Sequence, residues 1–483
     1  MAISYFNETF VLGKDHVMSN LRTRRIRDKI LVTTDQGSWI ALDEKEHKKL
    51  IGGSIDDSLF RELESKGIII TSRNLGKIIS NYYDRTSFLR NGTPLHILIP
   101  TLRCNLKCVY CHSAAKDADK KEYDMDHITV DKTLDYIFQT PNKKITLEFQ
   151  GGEPLLAFET VKYIVEKANE LNKKYKKHIN FALVTNLTLM TEEILEFIIQ
   201  ENIGVTTSID GHMHIHNHNR KYETGGDTYD DVKKWFQHLK EKGVHVGALM
   251  VTTKESLKYH KEIIDEYVKL GVTRIQIKYI NKIGFAERCW EQIGYDVDEF
   301  IEFWQKSVDY LIELNKNGVR LKSRYVALIL KKILTTTDPS FLDLRSPCGA
   351  VCGQQAYNFN GDIYCCDEGR SNEMFKMGSV CKDCYKDVVC SDKSQAIIKA
   401  SINDTHICDD CAYKPWCGLC PVIAYAEQGN IIPKIPKFSK CKISKAQFDY
   451  VLEKLIFYPD VRKIFFDWLT DWQQLTDCHT HVI

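Results

Sequence analysis

The stretch TLRCNLKCVYCHSA, residues 101–114, decides how the rest of this chain is interpreted. Its cysteines, Cys104, Cys108 and Cys111, are separated by three and then two residues. Three thiolates in one loop can bind three irons of a cubane iron–sulfur cluster and leave the fourth iron open to a small chelating molecule. A zinc site is the alternative, with His112 as the fourth ligand. The place of the loop in the fold decides between the two.

This loop follows the first strand of an alternating series of strands and helices. The strand candidates recur about every 30 residues, which is typical of βα repeats with a parallel sheet. They are Leu95–Ile99, Ile145–Gln150, Asn180–Val184, Gly204–Ser208, Val246–Val251 and Ile275–Tyr279. Six units fit an α/β fold with a partial (β/α)6 barrel, since a closed eight-fold barrel usually needs about 250 residues. Active sites of such sheets lie beyond the carboxyl ends of the strands, which makes a zinc knuckle in this loop unexpected.

Other candidate residues also follow strands. They are the turn Gly151-Gly152-Glu153-Pro154 after the second strand, Asn186 after the third, and Ser208 and Asp210 at the end of the fourth. The turn could instead be a plain strand-to-helix connection, and each polar side chain could be a helix cap. The run HMHIHNHNR, residues 212–220, alternates histidines. We expect a solvated loop there in preference to a metal site.

Between Pro347 and Cys441 the chain becomes rich in short turns and cysteine. A segment of this kind can be stabilised by bound metal in place of a large core. Its candidate ligands are Cys348, Cys352, Cys365, Cys366, Cys408, Cys411, Cys417, Cys420 and Cys441. A further trio, Cys381, Cys384 and Cys390, has metal-like spacing but no obvious fourth ligand, so we expect it to be structural or incidental.

Residues 1–92 are predicted to form a small unit of their own. Strands at Lys29–Thr34 and Ser38–Leu42 flank a turn, and Asp43 begins a helix with the capping-box spacing. A second helix from about Asp57 and a strand at Ile68–Ile70 complete a winged-helix order. The alternative is an extension that merely packs on the main domain.

Composition narrows the function. The 483 residues include 66 Lys and Arg against 65 Asp and Glu, a net charge of +1, so charge indicates neither nucleic acid nor a membrane surface as a partner. The chain contains 17 cysteines without a recognisable secretion signal or membrane span. We therefore expect a cytoplasmic protein whose cysteines bind metal.

The first motif resembles the signature of the radical SAM superfamily, with Tyr110 as its aromatic residue, and residues 151–154 resemble that superfamily's GGEP turn. The resemblance implies a 4Fe-4S cluster on Cys104, Cys108 and Cys111 that binds S-adenosylmethionine and cleaves it to a radical, which then removes a hydrogen atom from substrate. Further positions that the resemblance places near S-adenosylmethionine are Asn186, Ser208, Asp210 and Arg220.

The C-terminal cysteines resemble the SPASM extension of radical SAM peptide-modifying enzymes, which carries two auxiliary 4Fe-4S clusters. The resemblance implies an inner cluster on Cys348, Cys352, Cys366 and Cys420 and an outer cluster on Cys408, Cys411, Cys417 and Cys441. Two residues separate Cys417 from Cys420 where the family has three, and Cys365 is an alternative to Cys366. The implied domains are a leader-binding unit at 1–92, the barrel at 93–335, the SPASM domain at 336–445 and a helical tail at 446–483.

More narrowly, QGGEPLLAFE (150–159), TSIDG (207–211) and NFNGDIYCCDEGR (358–370) resemble the radical SAM maturases of His-Xaa-Ser peptide systems. This implies oxidative modification or crosslinking of a ribosomally made precursor peptide, whose leader would add a strand to the hairpin at 29–42. An electron donor such as flavodoxin or ferredoxin is expected, and Asp367 is the candidate catalytic side chain. The alternatives are an anaerobic sulfatase-maturating enzyme, which makes formylglycine, and a zinc-binding adaptor.

Overall fold

The computed structural model describes residues 16–475 except 114, 338, 340, 341, 343 and 405. The N-terminal part contains five short strands and three helices. They are β1 (Val17–Met18), β2 (Leu21–Ile26), β3 (Lys29–Thr34), β4 (Trp39–Leu42), α1 (Glu44–Gly52), α2 (Asp57–Ser65), β5 (Ile69–Ile70) and α3 (Leu75–Arg85). Strands β2, β3 and β4 form an antiparallel sheet. The predicted capping box is present, because Asp43 and Glu46 each accept the other's backbone N–H.

This N-terminal part has its own apolar core and also contacts the C-terminal part. The core contains Val32, Leu50 and Leu63, all fully buried. Thr33 Oγ1 donates to the carbonyl of Ala412 at 2.8 Å, and Arg24 pairs with Asp449. The predicted closing strand exists, but it pairs with β1 and not with the three-stranded sheet. Sequence reasoning missed β1, β2 and α3.

The middle of the chain alternates strands and helices, as the sequence predicts. Its elements are β6 (Leu95–Thr101), α4 (His127–Ile137), β7 (Lys144–Gly151), α5 (Phe158–Tyr175), β8 (His178–Val184), α6 (Glu192–Gln200), β9 (Gly204–Ser208), α7 (Met213–Asn219), α8 (Tyr229–Glu241), β10 (Val246–Val251), α9 (His260–Lys269), β11 (Arg274–Lys278), α10 (Phe285–Arg288), α11 (Trp290–Ile293), α12 (Val297–Lys316), β12 (Lys322–Ser323) and α13 (Arg324–Leu334).

The C-terminal part joins this array. It contains β13 (Gln354–Tyr357), β14 (Asp362–Tyr364), β15 (Lys376–Ser379), α14 (Tyr385–Cys390), α15 (Asp392–Ala400), α16 (His406–Asp409), α17 (Pro421–Gln428), α18 (Ser439–Phe457) and α19 (Pro459–Leu475). In the main sheet the strands run in the order β12-β11-β10-β9-β8-β7-β6-β13-β14-β15. In this spatial order the first eight strands, from β12 through β6 to β13, are parallel to one another. Strand β14 pairs antiparallel with β13, and β15 pairs antiparallel with β14.

All six predicted barrel strands are confirmed, within two residues at each end. Sequence reasoning missed β12, which has only two residues, and β13, whose sequence QQAY lacks the apolar run of a buried strand. Both extend the parallel sheet. Because β13 pairs with β6, the cysteine-rich part is fastened to the strand that precedes the first cysteine loop.

Alternate residues of the strands face two different surroundings. Leu98 of β6 belongs to the main core beneath the helices, while Ile97 and Ile99 pack with Ala356 and Tyr364 in a smaller cluster. The period of two in the strands produces this division. Within the described part of the chain, every helix is either too short or too polar to cross a membrane.

The histidine run does not form the solvated loop that we expected. It forms helix α7, and His216, Asn217 and Asn219 on it are buried. His216 Nε2 bonds to Thr228 Oγ1 at 3.1 Å, and burial lowers the pKa of His216 to about 4. His216, Asn217 and Asn219 bond to other parts of the protein, which a pattern of alternating polar side chains does not reveal.

Candidate active site

The first cysteine loop leaves the carboxyl end of β6 and is anchored on both sides. Arg103 is buried, and its guanidinium donates two bonds of 2.7 Å to the Asp124 carboxylate. Within the loop, the backbone N–H of Val109 donates to the carbonyl of Asn219 at 3.0 Å. The protein's own groups therefore hold the loop in place.

Two thiols of this loop, those of Cys104 and Cys108, ionise less readily than a free cysteine. Burial, the Glu153 carboxylate and the other two thiols raise the pKa of Cys104 well above its ordinary value. Burial also raises the pKa of Cys108 to about 11, although the Arg220 guanidinium opposes this. An iron–sulfur cluster removes this cost because it binds all three sulfurs as thiolates. The donor set fits the cluster that the sequence implies.

The two glycines of the GGEP turn bring β7 against the cysteine loop. A Cβ atom on Gly152 would lie 2.0 Å from the carbonyl oxygen of Arg103, and one on Gly151 would lie 2.3 Å from that of Thr101. The two backbones lie this close because the Glu153 N–H donates to the Arg103 carbonyl at 2.7 Å. This contact between two backbones requires glycine at both positions.

Glu153 is fully committed to holding neighbouring loops. One carboxylate oxygen accepts from Thr185 Oγ1 at 2.7 Å and from Leu155 N–H at 3.1 Å, and the other accepts from Asn186 N–H at 2.7 Å. Burial raises its pKa to about 7, although these bonds oppose the shift. The Asn186 side chain is engaged as well, since it donates to Asn105 at 2.9 Å. These residues connect the ends of β7 and β8 to the cysteine loop.

Asp210 forms a second buried junction. It is completely buried, and its carboxylate accepts bonds from Tyr110 Oη, Asn219 Nδ2, Arg220 Nε and the backbone N–H of Val251. Arg220 Nη1 lies 3.6 Å from Cys108 Sγ, and its guanidinium lies 5.2 Å from the centre of the Tyr110 ring. Asp210 thus positions an arginine against a cysteine ligand candidate.

One cavity of about 290 Å³ brings most of the predicted residues together. The predicted residues that line it are Cys104, Cys108, Tyr110, Cys111, Gly151, Gly152, Glu153, Asn186, Ser208, Arg220 and Asp367. Pro154 and Asp210 are buried but are not among its lining residues. The cavity opens at the carboxyl ends of the parallel strands, where Gly151, Asn186 and Ser208 lie, as expected for this sheet type, and extends between the strands to Leu95 and Gln354.

Asp367 connects the two cysteine regions. Its Oδ2 lies 2.7 Å from Nε2 of His112, the residue after Cys111, and its Oδ1 accepts from Arg370 at 2.9 and 3.1 Å. Burial disfavours the Asp367 charge, but the charges of His112 and Arg370 outweigh burial and lower its pKa below the ordinary value. A carboxylate held ionised in this way is a weak base, so its position favours bridging over proton transfer.

The outer group of C-terminal cysteines converges. Burial, together with the thiols of Cys441, Cys411 and Cys408, raises the pKa of Cys417 to about 12. Cys411 and Cys408 also raise the pKa of Cys441, which burial raises most. Four thiols that act on one another fit one bound cluster.

The inner group contains the adjacent cysteines. Cys365 and Cys366 are both buried, with their sulfurs 3.7 Å apart. Cys366 Sγ accepts the backbone N–H of Gly369 at 3.2 Å, and Cys348 Sγ likewise accepts that of Ala350 at 3.4 Å. Such N–H bonds stabilise a thiolate.

The extra trio differs from both groups. Cys381, Cys384 and Cys390 are exposed. Among the described residues no three His, Cys, Asp or Glu side chains converge closely enough for a single metal ion.

Several residues of this region escaped sequence reasoning. The cavity wall also includes Thr185, Gln150 and Lys278. Two further buried residues lie behind it, Arg103 in the cysteine loop and Glu148 in the middle of β7. Polar residues at alternate positions of otherwise apolar strands were the available signal.

Comparison with known proteins identifies the class. The model of the radical SAM superfamily matches residues 98–267. The chain is 31% identical over 233 residues to protein MJ0907 of Methanocaldococcus jannaschii, covering 48% of this chain and 77% of that protein. The chain belongs to the radical SAM superfamily and is an enzyme.

Relatives of known activity cover more of the chain. A cysteine-type anaerobic sulfatase-maturating enzyme of Clostridium perfringens is 28% identical over 378 residues, which is 75% of this chain and 98% of that enzyme. The solved structure of native anSMEcpe with bound AdoMet and Cp18Cys peptide matches with a TM-score of 0.66 at 23% identity, covering 77% and 99% of the two chains. Streptococcus suis SuiB bound to precursor peptide SuiA matches at 0.53 and 14% identity, covering 86% and 98%. These structural likenesses show the fold.

Proposed function

We propose that this enzyme is a radical SAM maturase that oxidatively modifies a residue of a ribosomally made peptide. Relatives that act on peptides support the substrate class, since SuiB and anSMEcpe have both been solved with peptides. The bridge between His112 and Asp367 carries the proposal, because it joins the two cysteine regions beside one cavity.

Cys104, Cys108 and Cys111 would hold the catalytic 4Fe-4S cluster. When bound, the cluster and S-adenosylmethionine supply the radical that removes a hydrogen atom from the peptide. The chain's own contribution is position and exclusion of water. Asp210 orients Arg220 toward Cys108, and the glycines of the GGEP turn press β7 against the loop. Such fixed geometry is the part of radical chemistry that a protein provides.

The C-terminal cysteines would hold two auxiliary clusters. We assign the outer one to Cys408, Cys411, Cys417 and Cys441, whose thiols act on each other. We assign the inner one to Cys348, Cys352, Cys366 and Cys420, and choose Cys366 over Cys365 for its bond from Gly369 N–H. A cluster on Cys366, the neighbour of the cavity-lining Asp367, would suit a reaction in which the peptide loses one hydrogen atom and then one electron and one proton.

The N-terminal unit would bind the precursor. Strand β4 is an edge of its sheet and pairs only with β3 among the described residues. An unpaired strand edge can accept a peptide as an additional strand. Hydrogen exchange of the β4 amides should slow when the precursor binds, and unchanged exchange would contradict this assignment.

Iron content and S-adenosylmethionine cleavage test the whole proposal. Anaerobically reconstituted protein should contain about twelve irons, four for each of three cubane clusters. A variant with Cys104, Cys108 and Cys111 all changed to Ala should lose about four irons and all cleavage, while the control Cys289→Ala keeps both. Cleavage by the triple variant would refute the assignment.

A sulfatase-maturating activity is the second candidate, because the Clostridium perfringens enzyme aligns over 98% of its length. Mass spectrometry of a Cys-containing sulfatase peptide after incubation distinguishes the two. Formylglycine at the cysteine supports the second candidate. An unchanged sulfatase peptide, beside a cognate precursor that loses two hydrogens, supports the first.

A further inference from the structure

Lys278 is a cation in the cavity wall to which the described residues supply no bonded carboxylate. Lys278 lies at the end of β11 and lines the cavity, and it has no hydrogen-bonded or ion-paired side-chain partner among the described residues. Two other charged side chains of the wall have partners of opposite charge. Arg220 is bound to Asp210, and Asp367 is bound to His112 and Arg370.

Lys278 also lies close to the reacting region. Its backbone pairs with Val251, whose N–H donates to Asp210 at 3.2 Å. The loop that follows β11 returns to the cysteine loop, where Phe285 N–H donates to the Cys111 carbonyl at 2.8 Å. A ligand within reach of Lys278 therefore lies between the end of β11 and the first cysteine loop.

A carboxyl group lies buried behind the same part of the cavity wall. Glu148 is completely buried on β7, between Thr146 and Gln150, which both line the cavity from alternate positions of that strand. Gln150 donates to one oxygen of Glu148, and the other oxygen, Oε2, has no hydrogen-bond partner in the described part of the chain, so Glu148 is not bonded to Lys278 there. The charges of Lys278 and Arg324 act on this carboxyl group, although burial has the larger effect on it.

An ammonium group in a cavity needs a hydrogen-bond acceptor once a bound substrate has displaced the water. When substrate fills the cavity and water leaves, an unpaired cation becomes costly. A carboxylate satisfies it best, because a charge-assisted hydrogen bond is stronger than a neutral one.

Resting on the proposed function, we propose that Lys278 binds a carboxylate of the peptide substrate, an Asp or Glu side chain next to the modified residue. The carboxylate of S-adenosylmethionine is the other source of the same chemistry. The two sources predict different defects in a Lys278 variant.

The first measurement uses no peptide. Lys278→Met should bind and slowly cleave S-adenosylmethionine within about twofold of wild type, since the contact is to the peptide. A loss of tenfold or more, on the order of one charge-assisted hydrogen bond, assigns Lys278 to the cofactor and overturns the proposal. Absence of cleavage in wild type would instead defeat the proposed function.

The second measurement uses a pool of capped nonapeptides that differ only in a central Asp, Glu, Asn or Gln. Reconstituted wild type with S-adenosylmethionine should retain the acidic peptides about tenfold over the amides. Lys278→Met should lose this preference, and Lys278→Arg should keep it. The control Glu368→Gln, which changes a carboxylate of the same cavity, should also keep it. Equal retention of acidic and amide peptides by wild type, or retention of none, overturns the proposal.

Discussion

Asp210 offers the sharpest test of how this site is built. Its carboxylate is completely buried and accepts from Tyr110, Asn219, Arg220 and the backbone of Val251. Replacing Asp210 with Ala removes every one of these acceptor contacts. It also leaves the Arg220 guanidinium, with 10% of its side chain exposed, without its carboxylate.

The expected cost is large because both partners are buried. Breaking a buried ion pair by removing one partner costs about 3–5 kcal/mol. For a domain of this size that corresponds to a drop of about 10 °C in the thermal midpoint. Asp210→Asn should cost less, since the amide oxygen still accepts. Adding Arg220→Met to Asp210→Ala should restore part of the stability, because the uncompensated charge is gone.

Thermal unfolding followed by circular dichroism, iron content and S-adenosylmethionine cleavage are the assays. Asp210→Ala should unfold earlier and lose cleavage, because Arg220 and Tyr110 no longer hold the cysteine loop. Glu302→Ala is the matched control, since Glu302 forms an exposed pair with Lys306. An Asp210→Ala protein with the midpoint and cleavage rate of wild type would refute the reasoning.

Three further predictions follow from particular contacts. Gly152→Ala should abolish incorporation of about four irons, since its Cβ would lie 2.0 Å from the Arg103 carbonyl oxygen, whereas Gly76→Ala, with open space around it, should not. Burial raises the pKa of Glu148 from 4.5 to about 8, so the folded state binds a proton that the unfolded state releases, and stability falls as pH rises between these values. Between pH 6 and pH 8 the wild-type protein should lose about 2 kcal/mol of its free energy of unfolding through this group, and Glu148→Gln should not. The thermal midpoint of Glu148→Gln should therefore shift less than that of wild type over this pH range, and an equal shift would contradict a buried acid at position 148. Cys366→Ala should lower iron content by up to about four atoms while Cys365→Ala leaves it unchanged, and the reverse result would make Cys365 the ligand.

Local patterns were sufficient for the barrel and for the first cysteine loop. The six strands could be predicted from the sequence because each is a short apolar run between helices. A strand buried on both faces needs such a run. The capping box at Asp43 was legible because its two partners are three residues apart. Interactions within a few residues leave a signature in the chain itself.

Contacts between residues far apart in the chain could not be predicted from the sequence in the same way. The pattern of residues 212–220 predicts a polar loop, yet one face of α7 is buried, where His216 bonds to Thr228 and Asn219 donates to Asp210. Strand β13 was missed because its stability comes from pairing with β6, more than 250 residues earlier.

The sequence by itself determined the superfamily, the parallel array and the cysteine ligand candidates, since these depend on residue type and short spacing. The tertiary structure decided which of them face one cavity, that Glu153 and Asp210 brace loops, and that His112 meets Asp367 across 255 positions of sequence. It also showed Lys278 to be a cation that the protein leaves without a partner among the described residues. The physical reason is that burial and pairing of charge depend on distance in space, which spacing along the chain does not determine.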